Sequence, residues 1–224
     1  MLRLTEIDRE QALRYLAFGG QKPDRLTTEL LNECEVELLE RLRPKYTCRV
    51  LPFRQTPDGI SPQSVRLILP GRDIAAHLHG CEQLILLCAT LSSDADAYIR
   101  RLQVENLAKA LVADAMLNAA IEQVCDLAEE EIKASLPYTH YTTRYSPGYG
   151  DLPLAVQADF LAAVDAGRRL GVYVNAGGLM TPLKSVTAII GAASHPLTAK
   201  SSGCESCNQK DTCKYRKAGN HCAF

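Results

Sequence analysis

The stretch "CEQLILLCATLSSDAD" (81–96) decides the fold. Leu84 to Leu91 is a continuous apolar run of strand length, the pattern of a strand covered on both faces. Ser92, Ser93 and Asp94 are helix-capping residues, and from Asp94 to Leu136 the chain holds neither Gly nor Pro. A buried strand is therefore expected to lead into one long helix, or two with a bend. Ala108, Leu111, Ala115, Asn118 and Ala119 place mostly small residues along one side of that segment, where close packing in the core is expected.

Upstream, Asp8 and Gln11 form a capping-box pattern before Leu13, Leu16 and Phe18, with Gly19 and Gly20 as the stop. A second helix is expected from about Thr27 or Thr28, with Leu31, Cys34, Leu38 and Leu42 on one face and its end before Pro44. Tyr46, Cys48 and Val50 alternate as in a strand; after the turn residues Pro57, Asp58 and Gly59, "SVRLIL" (64–69) is expected to pair back. Downstream, Asp151 is expected to cap a helix with Pro153 in its first turn, running through Ala158, Leu161 and Val164 to Gly171. "GVYVNAGGLMTP" and "KSVTAIIGAAS" then read as two strands. Helices interleaved with separated hairpins predict an α+β fold, mixed helices around a mainly antiparallel twisted sheet. Residues 1–198 are expected to form one domain, helical over about 1–45, followed by a small Cys-rich tail over 199–224.

The chain has 224 residues and a formal net charge of -1, which opposes wholesale nucleic-acid binding because neutralising many phosphates needs a basic face. The start, "MLRLTEIDRE", carries acids where an export signal needs an apolar run, and "LILLCATL" (84–91) is far short of the about 20 residues that span a bilayer. A cytoplasmic protein with no membrane partner is expected, and its nine Cys are expected to be reduced thiols or metal ligands.

"HLHG" (77–80) invites comparison with an Asp-x-His-x-x-Gly cobalt-binding signature, but Asp73 lies four residues before His77 and six before His79 instead of two. "NAGG" (175–178) is no phosphate cradle, and there is no Gly-x-Ser-x-Gly elbow. The segment "YTTRYSPGYGDLP" (141–153) is more informative. Pro147, Gly148 and Gly150 fix its backbone path and allow close approach. Arg144 offers a planar fork for a carboxylate or phosphate, and Tyr149 a flat face with a hydroxyl. An amino-acid-bearing ligand suits both, while a salt-bridged structural turn is the competing reading.

"RYSPGYGDLP" (144–153) resembles the Arg-x-x-Pro-Gly-Tyr motif of the activation (reactivation) domain of cobalamin-dependent methionine synthase. "LMTPLKSV" (179–186) is similar to the Met-x-Pro-x-x-Ser-Val segment downstream of that loop. The stretch from Gly80 to Asp126 looks like the strand and long helix of stand-alone, single-domain members, so the resemblance covers roughly residues 5–195. It implies a protein that binds S-adenosylmethionine and supports reductive methylation of inactive cob(II)alamin, with the electron coming from a reductase. Arg144, Ser146, Pro147, Gly148 and Tyr149 would be the cofactor-binding residues, Arg144 holding the ligand's carboxylate and Ser146 contributing through its backbone. Cobalt supplies the nucleophile and the sulfonium the leaving group, so the resemblance implies positioning without a general base and no catalytic residue is assigned. Counted without a gap from the Ser-Val block, the position of the family's ligand-contacting Tyr falls at Ile190. Substrate and cobalamin modules are not recognisable in these residues, which implies action in trans on a separate methionine synthase or related corrinoid protein. A non-catalytic accessory or metal-cluster protein docking on a corrinoid methyltransferase is the alternative.

Four of the nine Cys, Cys204, Cys207, Cys213 and Cys222, fall in the last 21 residues, where even spreading gives about one. Two thiolates in Cys-x-x-Cys grip one ion from a single turn, and two further Cys complete a tetrahedral set, which fits zinc or an iron–sulfur cluster. Free or oxidisable thiols are the other reading, and His221 is a substitute ligand. Cys34, Cys48, Cys81, Cys88 and Cys125 sit in apolar patterns and are expected in the core.

Overall fold

A computed structural model describes residues 2–18, 21–197 and 211–212. In chain order the elements are α1 (Arg9–Tyr15), α2 (Arg25–Arg41), β1 (Lys45–Leu51), β2 (Phe53–Thr56), β3 (Gly59–Pro62), α3 (Arg72–His77), β4 (Gln83–Thr90), α4 (Ser93–Glu105), α5 (Leu107–Ala134), β5 (His140–Tyr141), a 3-10 turn (Leu154–Val156), α6 (Gln157–Ala163), α7 (Ala166–Leu170), β6 (Tyr173–Val174), β7 (Met180–Thr181) and β8 (Ser185–Ala193). Four strands form one sheet in the order β1-β4-β8-β5, and two two-stranded ladders accompany it. β5 and β8 pair antiparallel. Backbone bonds from Glu82 to Ala192 (2.8 Å) and from Leu91 to Lys184 (3.0 Å) give β4 and β8 the same antiparallel sense. The architecture is α+β, as the interleaving of helices and hairpins predicts.

The chain divides into two compact units. One comprises Met1–Arg49, Leu87–Leu136 and Gln157–Thr187, the other Val50–Leu86, Pro137–Val156 and Ala188–Phe224. In the first unit α1, α2 and α4 pack on α5, and Leu31, Cys34, Leu38, Met116, Leu117, Ala120 and Val124 belong to its core. Local chemistry explains where the helices begin. Asp8 caps α1, its carboxylate accepting Gln11 N–H at 2.9 Å, but the reciprocal bond of a capping box comes from elsewhere: Asp8 N–H donates to the Gln123 side chain at 2.9 Å. α2 starts two to three residues before the sequence expectation because Asp24 is its cap, accepting Thr27 N–H at 2.7 Å.

The long Gly-free segment is two helices. Asn106 is extended at φ -158° and caps α5 by accepting Lys109 N–H, so one residue ends α4 and starts the next helix. Of the expected stripe, Ala115 and Ala119 are buried and Asn118 is half-buried, whereas Ala108 and Leu111, in the first turns of α5, are exposed, a correction to the expected core packing along the whole side. β4 is buried along all of Leu84–Thr90, as its apolar run requires. In β1 the buried residues are Thr47 and Leu51, while Tyr46, Cys48 and Val50 on the other face are half-buried and Lys45 and Arg49 are exposed.

Three other expectations are corrected. In the second unit, β2 pairs with β3 through the two-residue loop Pro57-Asp58, with Thr56 opposite Gly59; "SVRLIL" is not a strand, and only Leu69 bridges back to Ile60. Ser64 at φ +64° breaks any extended path there. The stretch "GVYVNAGGLMTP" forms a short hairpin, β6 with β7, instead of one strand, because the Asn175 side chain accepts from Gly177 and Leu179 and turns the chain. The third concerns Asp151.

Candidate functional site

The loop after β5 lies in the second unit and is closed by short-range bonds. Ser146 carbonyl accepts Tyr149 N–H at 3.0 Å, with Pro147 and Gly148 at the two central positions and Gly148 at φ +95°. This is the residue pattern of a type II turn, in which Pro presets φ and only Gly easily supplies the positive angle. The turn is cinched by Gly148 N–H to Leu152 carbonyl at 2.8 Å and Leu152 N–H to Tyr149 carbonyl at 3.0 Å. At its base Tyr145 and Ile189 exchange both backbone bonds, at 2.9 and 2.8 Å, fixing the loop on β8.

Tyr145 turns inward. Its hydroxyl donates to the Tyr149 carbonyl at 3.0 Å, its ring stands 5.0 Å from that of His77 and 5.9 Å from that of Tyr149. Burial, with the Asp73 and Asp151 charges adding to it, pushes the Tyr145 phenol up to about 12, so it remains a neutral donor at physiological pH. Gly150, at φ +53°, is required by this packing. A Cβ there would lie 2.3 Å from the Tyr145 hydroxyl and 2.5 Å from Asp73 Oδ2.

Asp151 does not cap its own helix. Its carboxylate accepts Arg72 N–H at 2.7 Å and Asp73 N–H at 3.1 Å, capping α3, whose own N-cap residue Gly71 provides no side chain. A Cβ on Gly71 would meet Asp151 Oδ1 at 2.3 Å. Burial alone would raise the Asp151 pKa, but the Arg72 and Asp73 N–H groups outweigh it and hold the carboxyl below its ordinary value. A depressed folded-state pKa means that this contribution is complete above the ordinary Asp value and is lost as pH falls through the lower, folded one. The clip is present throughout the neutral range.

The residues assigned from the sequence therefore lie on one constrained loop, with Tyr145 between Arg144 and Ser146. Arg144 and Ser146 are half-buried, Pro147 is buried, and Gly148 and Tyr149 are exposed. Ile190 is fully buried in β8, so this side chain offers no surface to a ligand. The sequence pattern marks neither Tyr145 nor His77 as a support of this loop, and it points Asp151 to the helix that follows it instead of to α3. The four-residue spacing of Asp73 and His77 marks one face of α3, but Thr143, to which His77 bonds, is 66 residues away.

Two surface concavities lie in the first unit, and no residue of this loop lines either. One, about 500 Å³, is lined by Glu6, Ile7, Asp8, Arg9, Glu35 and Gln123, whose polar groups serve one another: Glu35 accepts Ile7 N–H and pairs with Arg9. The other, about 790 Å³, has Leu2, Leu4, Leu39 and Leu42 among its lining residues, and its Arg43 donates to the Glu40 and Leu42 carbonyls that end α2. Neither aims a buried, unpartnered polar group at a ligand.

Cys34, Cys88 and Cys125 are buried, and Cys48 and Cys81 half-buried. Burial pushes the thiols of Cys34 and Cys81 up to about 11 and that of Cys88 up to about 12. Because the thiolate is the reactive form, iodoacetamide at neutral pH is expected to leave these three unmodified in the folded protein while a denatured control reacts completely. Peptide mass spectrometry checks this, and rapid labelling of Cys88 would contradict it. Among the described residues no group of three or more His, Cys, Asp or Glu is placed to hold a metal ion. Cys204, Cys207, Cys213, Cys222 and His221 lie outside the described residues. No described helix is long and apolar enough to cross a membrane.

No family model matches the chain, and no curated protein matches it in sequence. Among solved structures it is similar to the crystal structure of the MetH reactivation domain bound to AdoHcy, at 16% identity over 86% of this chain and 68% of that one, with a TM-score of 0.48. At that level the likeness assigns this chain no ligand.

Proposed function

We propose that the protein binds S-adenosylmethionine on the 144–149 turn and acts in trans as a reactivation factor for a cobalamin-dependent methionine synthase or a related corrinoid protein. The observation that carries the reading is the Ser146–Tyr149 turn, with Arg144 two residues before it, anchored to β8 through Tyr145 and Ile189. It coincides with the segment whose sequence resembles the family's binding loop. The donor set suits the ligand. Arg144 supplies a bidentate fork for the amino-acid carboxylate. Gly148 supplies the positive φ that the turn requires, with Leu154 packed where a side chain would stand, and Pro147 and the main chain of Ser146 complete the loop's contact surface. With Ile190 buried, the aromatic face available to adenosine on this loop is that of Tyr149, which is 44% exposed.

S-adenosylmethionine supplies a methyl group activated by its sulfonium. The chain's own task is to orient that ligand and exclude water, which needs no acid or base. Cobalamin resides on the partner in this reading, a reductase provides the electron, and the tail thiolates of Cys204, Cys207, Cys213 and Cys222 hold zinc or an iron–sulfur cluster. The test is recovery of activity by a cob(II)alamin-inactivated methionine synthase that lacks its own activation domain, given S-adenosylmethionine and a one-electron donor. Recovery is expected only when this protein is added. Failure at saturating protein, with an intact methionine synthase recovering in parallel, would overturn the role.

A further inference from the structure

Helix α3 touches the 141–153 loop at both of its ends. At the N-terminal end the Asp151 carboxylate takes two α3 N–H groups, and Gly71 is the residue whose missing side chain makes room for it. At the C-terminal end His77 Nε2 lies 3.0 Å from the Thr143 carbonyl. A carbonyl only accepts, so Nε2 carries the hydrogen. The His77 ring also lies against Tyr145, whose hydroxyl reaches forward to Tyr149. The two attachment points on the loop, Thr143 and Asp151, bracket every residue of the turn assigned to the ligand. The sequence between them contains two glycines, Gly148 and Gly150, whose particular positive-φ angles a free segment would hold only part of the time.

We infer that His77 and Asp151 are positioning residues: they staple the 143–151 segment to the two ends of α3 and so hold Arg144 and Tyr149 in the arrangement that receives a ligand. The inference rests on the proposed S-adenosylmethionine site for its functional consequence, but the staple itself is a property of the ligand-free protein. Neither residue touches the ligand. They act by removing alternative loop conformations before binding, which raises affinity without adding a contact.

Two measurements separate the staple from the site. In ligand-free protein, hydrogen exchange at the amides of Gly148, Tyr149 and Leu152 is expected to speed up at least tenfold in Asp151→Ala, with α5 amides unchanged. His77→Gln keeps an N–H donor and is expected to exchange as wild type, whereas His77→Phe keeps a ring but loses the donor and is expected to loosen the loop. Unchanged exchange in both Asp151→Ala and His77→Phe would overturn the inference whatever the ligand does. Calorimetry with S-adenosylmethionine then reads the consequence: at least tenfold weaker binding in each loosened variant, at a melting temperature within about a degree or two of wild type, and restoration in His77→Gln. Faster exchange with unaltered affinity would remove the positioning role. Faster exchange in a protein whose wild type binds no S-adenosylmethionine would support the staple and overturn the functional reading instead.

Discussion

Phe160→Ala is expected to destabilise the protein by about 3–5 kcal/mol, the range for deleting a fully buried aromatic side chain. Phe160 has no exposed surface and is among the largest fully buried side chains. It lies at the centre of α6, which packs against α7 and β6 within the first unit. A seven-residue helix has little stability of its own, because so few backbone bonds follow its costly nucleation. The buried face therefore holds it, and Phe160 is the largest group on that face. For a chain of this size the loss corresponds to a fall of about 6–20 °C in the thermal midpoint. Scanning calorimetry or denaturant titration checks it. A fall below about 2 °C would mean that the site collapses around the deleted ring far better than core cavities ordinarily do.

The second large effect is on binding. Arg144→Ala is expected to weaken S-adenosylmethionine binding by about 1.5–3 kcal/mol, the usual worth of a hydrogen bond to a charged group, or roughly 10- to 150-fold in Kd. Arg144→Lys keeps the charge but loses the planar fork, so an intermediate affinity is expected. The variants should retain the fold, since the turn is closed by main-chain bonds of Ser146, Gly148, Tyr149 and Leu152 in which the Arg144 side chain takes no part.

The parts of this molecule legible in the sequence are those fixed by neighbours in the chain. Asp8 caps the helix that follows it, and the run Leu84–Thr90 is a strand buried along its length. Pro147 and Gly148 mark their turn for a reason internal to the backbone, namely the angles that only those residues adopt easily. What the sequence concealed depends on partners far along the chain. Asp151 has the composition of a local cap and instead serves α3, 78 and 79 residues earlier. A carboxylate satisfies whichever N–H groups the tertiary structure brings to it, and nothing in residues 150–154 says which. The hairpin of β2 and β3, in place of a pairing by residues 64–69, is hidden for a related reason. Gly59–Pro62 is short and ends in Pro, weak strand chemistry on its own, yet the two-residue loop makes it the first segment able to pair back. The bond of His77 to Thr143, 66 residues away, cannot be read from spacing at all. The residues proposed for the ligand are therefore read from the sequence alone, and the contacts of Tyr145, His77 and Asp151 that hold their loop in place emerge only from the fold.

The most direct test of the central claim is titration calorimetry of S-adenosylmethionine into the wild-type protein and into Arg144→Ala. The account predicts saturable one-to-one binding to wild type and at least tenfold weaker binding to the variant. Equal affinities, or no saturable heat with either protein, would contradict it.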